Sequence, residues 1–176
     1  AQRLALHVIR RSRVDAEALA SALINAKDQI KYCDTCFNFT EINNSICEIC
    51  RDRNRDHSCI CVVEQASDVL VLEANAIHKG VFHVLGGLLS PLDGVGPEDL
   101  RVKELSVRVS AVEVKEVILA FNAGPEGDAT SNYLYQLLSE HVGISRPARG
   151  LPVGADLDLA DGITLTHAFA GRSLLE

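Results

Sequence analysis

The 176-residue chain has no methionine, no secretory leader pattern and no apolar run near the roughly 20 residues that a membrane span needs. The last two absences lead to the expectation of a soluble, cytoplasmic protein. The missing methionine, with Ala1 in first place, is consistent with a fragment that lacks its natural start. Internal repeats and low-complexity tracts are absent as well. So is a positive charge balance: the net charge is −7, which taken alone speaks against a nucleic-acid binder.

What is present qualifies that exclusion. Apolar residues make up 47% of the chain, enough for a globular core. Residues 1–31 carry Arg3, Arg10, Arg11, Arg13, Lys27 and Lys31 against Asp15, Glu17 and Asp28. That segment is therefore +3 and the remainder −10. A basic N-terminal segment on an acidic body is a candidate phosphate-facing surface, although a solvated helical face has the same composition.

Periodicity divides the chain in three. Residues 1–31 read as helical, with Leu4, Ala5, Val8 and Ile9 on one face of a first helix. A second helix is expected from Asp15 as N-cap, with an apolar stripe of Leu19, Ala22, Leu23, Ala26 and Ile30. Residues 32–57 are polar, cysteine-rich and too short for an apolar core of their own. From residue 58 onward strand-like and helix-like runs alternate. Strands are expected at 59–64, 81–85 and 117–121, and a fourth at 144–149 that Pro147 demotes to an edge. Helices are expected at 67–77, roughly 103–113, and 128–141, with a short one near the end. Residues 86–100 form a Gly- and Pro-bearing loop, readable either as a hinge or as a rigid series of turns. Such alternation favours a mainly parallel sheet flanked by helices, an α/β body.

Cys33-x-x-Cys36 and Cys47-x-x-Cys50 are separated by ten residues. Each pair can clamp a cation from a tight turn, and together they complete a tetrahedron of thiolates suited to one Zn²⁺. Metal binding would supply the folding free energy that this segment lacks. Four sulfurs leave no open coordination position, so the site is structural in kind. Two redox dithiols or two disulfides are the competing reading. Cys59 and Cys61 sit two apart on an expected strand and are read as small core residues, and His57 as a surface residue.

The acids are informative by position. The run 117–121 empties into Asn122-Ala123-Gly124, with Glu126 and Asp128 following. Asp156-Leu157-Asp158 follows a glycine rather than an apolar strand and reads as a turn or helix start, with Asp161 a solvent-facing acid beyond it.

In order, the chain presents AQRLALHVIRR, the four-cysteine element, CVVEQASDV, HVLGGLLSPLDGVGPEDL, VILAFNAGPEGDAT, RPARGLPVGADLDLADGITL and AFAGR. Over essentially its whole length it resembles the bacterial RecR family of recombination mediators. The resemblance implies a Toprim body, the module shared with type IA topoisomerases and bacterial primases. In catalytic members a strand-end Glu, an Asp-x-Asp pair and a trailing Glu hold Mg²⁺. Here Glu64 takes the first place, Asn122 and Gly124 stand at the paired aspartates, and Glu126-Gly127-Asp128 preserve the trailing acids. Losing two carboxylates removes oxygens on which Mg²⁺ depends. The resemblance therefore implies a non-enzymatic adaptor; a Mg-dependent Toprim nuclease or primase-like enzyme is the alternative.

It further implies RecO and RecF as partners, RecA loading at gapped DNA, and assembly into a ring-shaped tetramer. Glu64, Glu126 and Asp128 become candidate contacts to RecO, although a helix N-terminus also favours Asp128. Arg3 matches the family's DNA-contacting residues; His7, Arg10 and Arg11 are added from helical position. The implied division is 1–31, the helical remnant of a helix-hairpin-helix DNA-binding region; 32–57, the zinc finger; 58–150, the Toprim-like domain; and 151–176, a C-terminal oligomerisation segment. The expected setting is a bacterial cytoplasm, in association with the nucleoid.

Overall fold

A computed structural model of the chain describes residues 2–111 and 113–173. Ala1, residue 112 of the helix expected at 103–113 and residues 174–176 of the expected C-terminal segment lie outside the described residues.

Helices α1 (Gln2–Ile9) and α2 (Arg13–Gln29) open the chain. The N-cap of α2 is Ser12, not Asp15: its hydroxyl accepts the Asp15 amide, and Asp15 lies in the first turn, where its charge suits the helix dipole. Neither helix buries a residue, so the expected apolar stripes face solvent. Ile30 leaves the helical stripe altogether. It begins strand β1 (Ile30–Tyr32), which pairs antiparallel with β2 (Phe39–Glu41). Cys33 and Cys36 lie in the turn between these strands, and the short α3 (Glu48–Arg51), capped by Cys47, carries Cys50.

The body is a four-stranded parallel sheet. Strands β3 (Asp56–Val63), β4 (Gly80–Val84), β5 (Glu116–Ala120) and β6 (Gly143–Ser145) run in the order β4-β3-β5-β6. Helices α4 (Ala66–Ala74), α5 (Val102–Ala111) and α6 (Pro125–Leu138) make the crossovers, and α7 (Gly162–Ala170) follows the sheet. The expected α/β class and all four expected strands are present. The weakest strand, β6, lies at an edge and ends before Pro147, which has no amide for a ladder.

Strand alternation sorts the core into two layers. Ile60, Val62, Val81, Val117 and Leu119 pack with Leu105 and Val109 of α5 and Leu134 and Leu138 of α6. Cys61, Val63, Phe82 and Val84 point the other way, onto Val69 of α4 and onto Phe37 and Ile49 of the cysteine element. Each fully buried Val, Leu or Phe contributes about 1.5–3 kcal/mol. The second layer therefore fixes the cysteine element against the sheet.

The outer edge of β4 is closed by polar groups. The Val84 amide donates to the Cys36 carbonyl at 2.8 Å, and the guanidinium groups of Arg55 and Arg108 donate to the carbonyls of Gly80 and Phe82. Open strand edges invite pairing with other chains, and these three contacts occupy this one.

Candidate metal centre and carboxyl-end loops

Chain reversals bring the four cysteines together. Cys33 follows β1, Phe37 turns the chain back with a φ of 62°, and Cys47 caps α3, which carries Cys50. The four Sγ atoms all lie within 4.8 Å of one another, with Cys36 and Cys47 at 3.5 Å. A tetrahedron with Zn–S bonds of 2.3 Å has sulfurs about 3.8 Å apart, so the cage matches the ion in size. The thiols are free, as the metal reading requires and the disulfide reading does not.

Hydrogen bonding among the four thiols divides them, lowering Cys33 and Cys47 and raising Cys36 and Cys50. Hydrogen bonding with Cys36, then with Cys47 and Cys50, pulls the Cys33 thiol below its ordinary value. The same pairing with Cys33 pushes Cys36 up. The Cys47 amide also donates to Cys33 Sγ at 3.3 Å, a contact that suits a thiolate. Cys33, Cys36 and Cys47 are buried and Cys50 half-buried, leaving little room for a further ligand. Cys61 lies in the core, where burial pushes its thiol up to about 12; Cys59 is half-buried beside Glu116. His57 is exposed.

A second candidate region lies at the carboxyl ends of the strands. Strand β3 connects to β4 on one side and the chain then crosses to β5 on the other, so the order reverses between β3 and β5. Such a switch point leaves a crevice where open α/β sheets bind ligands. Val63 pairs in register with Ala120, so Glu64 and the loop 121–124 emerge side by side. Glu64 is half-buried, Asn122 is exposed, and Gly124 caps α6 in an extended conformation.

The trailing acids turn elsewhere. The Ser90 hydroxyl lies 2.7 Å from Glu126 Oε1 and 2.7 Å from Asp93 Oδ2, and donates to one of them at a time. Asp128 Oδ1 lies 2.7 Å from Arg149 Nη1, outside hydrogen-bond geometry, and 3.7 Å from Arg146 Nη1. Thr130 accepts the Leu89 amide and donates to the Glu126 carbonyl. Two hydrogen bonds thus join the loop 86–100 to the first turns of α6. Among the described residues, the only group of three or more metal-binding side chains is the cysteine set, so Glu64, Glu126 and Asp128 do not gather into a cage. Nothing in local spacing announces the Ser90–Glu126 contact or the approach of Arg146 and Arg149 to Asp128, because these pairs lie 18 to 36 residues apart.

The family model described as "Toprim domain" matches residues 58–148, and that described as "RecR, C-terminal" matches residues 150–173. The chain is 51% identical to the recombination protein RecR of Moorella thermoacetica, an alignment covering 100% of this chain and 88% of that protein. It is 49% identical to the RecR of Trichormus variabilis, covering 100% and 94%. With the RecR of Chlorobaculum tepidum the identity is 46%, covering 99% and 88%. The chain belongs to the RecR family.

Within this RecR chain the expected DNA-facing residues sit together at the N-terminus. Arg3 and His7 project from α1, and Arg10 and Arg11 from the turn after it; all four are exposed. His7 and Arg11 share a shallow groove with Asp15 and Leu19. Asp161 is the N-cap of α7, accepting the amides of Ile163 and Thr164. Asp156 precedes a single 3-10 turn, Leu157–Leu159, as a turn-forming pair would. No described helix is long and apolar enough to cross a membrane.

Proposed function

We propose that the chain is a non-enzymatic mediator of DNA recombination and repair. It acts as an adaptor that holds DNA together with RecO or RecF and helps load RecA at gapped DNA. The observation that carries this reading is the composition of the switch-point crevice. Phosphoryl chemistry at such a place needs clustered carboxylates to hold divalent metal. Here the loop offers Asn122 and Gly124, while Glu126 and Asp128 are engaged with Ser90 and Arg149.

In this reading one Zn²⁺ held by Cys33, Cys36, Cys47 and Cys50 is structural. It ties residues 32–57 to the 58–150 body. Arg3, His7, Arg10 and Arg11 contact phosphates without reading sequence, and residues 1–31 act as the DNA-binding segment. Exposed Leu4, Ile9, Leu19 and Leu23 support assembly of the chain into a homo-oligomer, a tetrameric ring, with residues 151–176 contributing. Glu64, Glu126 and Asp128 form the face toward RecO. The working compartment is the bacterial cytoplasm.

The test pairs chemistry with retention. Gapped DNA incubated with the protein and Mg²⁺ should be neither cut nor extended. The logarithm of the DNA-binding constant should fall linearly with the logarithm of salt concentration, and Arg3→Ala should reduce that slope by about one. Glu126→Lys should weaken capture of RecO while leaving DNA retention intact. Strand cleavage lost in Glu64→Gln would establish an enzyme instead.

A further inference from the structure

The cysteine element and the sheet enclose a cleft of about 430 Å³, within the roughly 300–1,000 Å³ range of small-ligand pockets. Its aromatic wall comes from the β1–β2 hairpin. Tyr32 and Phe39 are cross-strand partners whose rings stack, with centroids 5.6 Å apart and planes 22° from parallel. Tyr32 is 57% exposed and Phe39 49%, so the stack is open to another planar group. The aliphatic lining residues Ala66, Val84 and Leu85 are already buried in the body and offer little surface of their own.

The rim is polar and carries a cation. The Arg101 guanidinium lies 4.9 Å over the Phe37 ring and half exposed. Glu104 forms a solvent-exposed salt bridge with it at 3.6 Å, and the Asp99 carboxylate, which accepts the Gly96 amide, lines the same cleft. Gln65 and Ser67 supply an amide and a hydroxyl beside it. An open aromatic stack, a half-exposed cation whose salt bridge faces solvent, and neutral hydrogen-bonding groups match an unpaired nucleotide. The base has a flat face, the phosphate a negative charge, and the base edge donors and acceptors. Base–aromatic stacking is tolerant of sequence because every base has such a face.

We propose that this cleft binds an unpaired nucleotide of single-stranded nucleic acid, with the base on the Tyr32–Phe39 stack and the phosphate toward Arg101. The inference rests on the DNA-binding reading above and adds a second contact, distinct from the basic residues of the N-terminal helices. Those helices meet backbone phosphates; the hairpin meets bases. A strand with splayed bases gains from both, and a duplex, whose bases are already stacked, gains from the first alone.

The probes are an oligothymidylate, an abasic strand of the same length and a duplex, added to the full chain with zinc content verified for each variant. The chain has three tyrosines and no tryptophan, so stacking on Tyr32 is read as quenching of tyrosine fluorescence. The oligothymidylate should bind more tightly than the abasic strand. Tyr32→Ala should weaken its binding about tenfold and leave the duplex unchanged. Tyr32→Phe should bind as the wild type does while losing most of the quenching. Equal binding of abasic and base-bearing strands overturns the inference, as does an unaffected Tyr32→Ala variant. So does a Tyr32→Ala variant that loses a protein partner while keeping oligothymidylate affinity. If the wild-type chain holds the duplex but shows no preference for bases, the hairpin site fails and the DNA-binding reading stands. If it holds neither, both fail.

Discussion

The Asn122 carbonyl oxygen lies 2.2 Å from the position that a Cβ on Gly127 would occupy. The two residues bring the first turn of α6 hard against the loop leaving β5, and only glycine fits there. Gly127→Ala must push the loop or the helix aside, which costs about 1–3 kcal/mol for a tightly packed site. Urea unfolding should show a lower midpoint with an unchanged slope.

Gly124 is the opposite case. A Cβ there meets nothing within 4 Å, and its φ of 173° is extended backbone open to any residue. Asp is also a favoured N-cap. The double variant Asn122→Asp/Gly124→Asp should therefore fold and place two new carboxylates beside Glu64. Titration calorimetry should detect Mg²⁺ binding in the variant that is stronger than in the wild type. Identical heats in both would mean that the missing acids are not what sets the metal affinity of this crevice.

Removing the metal from the cysteine cage should loosen more than the cage. Cys36 is both a proposed ligand and the acceptor for the Val84 amide at the sheet edge. Cys47→Ser, or a strong chelator, should abolish one equivalent of zinc and speed hydrogen exchange at Val84. It should also promote aggregation by freeing that edge. Unchanged exchange at Val84 after the metal is gone would separate the cage from the sheet.

His83 makes stability depend on pH. Its Nε2 lies 2.9 Å from the Arg101 carbonyl, Nδ1 has no partner, and burial holds the ring at about 4, well below its ordinary value, with the Arg108 and Arg101 charges adding to the depression. The folded chain thus keeps His83 neutral where the unfolded chain takes up a proton. Stability is fully present above about pH 6.5 and falls as pH drops toward 4, by about 3 kcal/mol over that window. His83→Gln retains a donor for the carbonyl and does not titrate. Urea midpoints measured across this range should fall less steeply in the variant.

Much of this was legible because the period of the apolar pattern is a local property. Residues 59–63 and 117–120 read as strands from their own composition, and Pro147 marked the edge. The cysteine spacing announced a cage because two tight turns suffice to build it. The failures arose where a residue's role depends on something distant. Ile30 continued the helical stripe of α2, yet pairing with Glu41 drew it into a strand. Glu126 and Asp128 read as candidate partner contacts, with a helix start as the other reading of Asp128, and nothing near them in sequence discloses Arg149 or the Ser90 contact to Glu126. His83 sits inside an apolar run, and only the carbonyl of Arg101, 18 residues on, shows how it is accommodated. The aromatic stack of Tyr32 and Phe39 likewise needs the hairpin register before it can be seen.

Among the described residues, helices α1 and α2 bury no side chain. An isolated helix of eight residues falls short of the roughly 12–15 that persist in water, and seventeen residues are only marginal. Their shape must be underwritten by whatever they touch. Occupancy and helicity at this end of the molecule are then a single quantity: a titration of circular dichroism against any true ligand of these helices reports its binding curve directly.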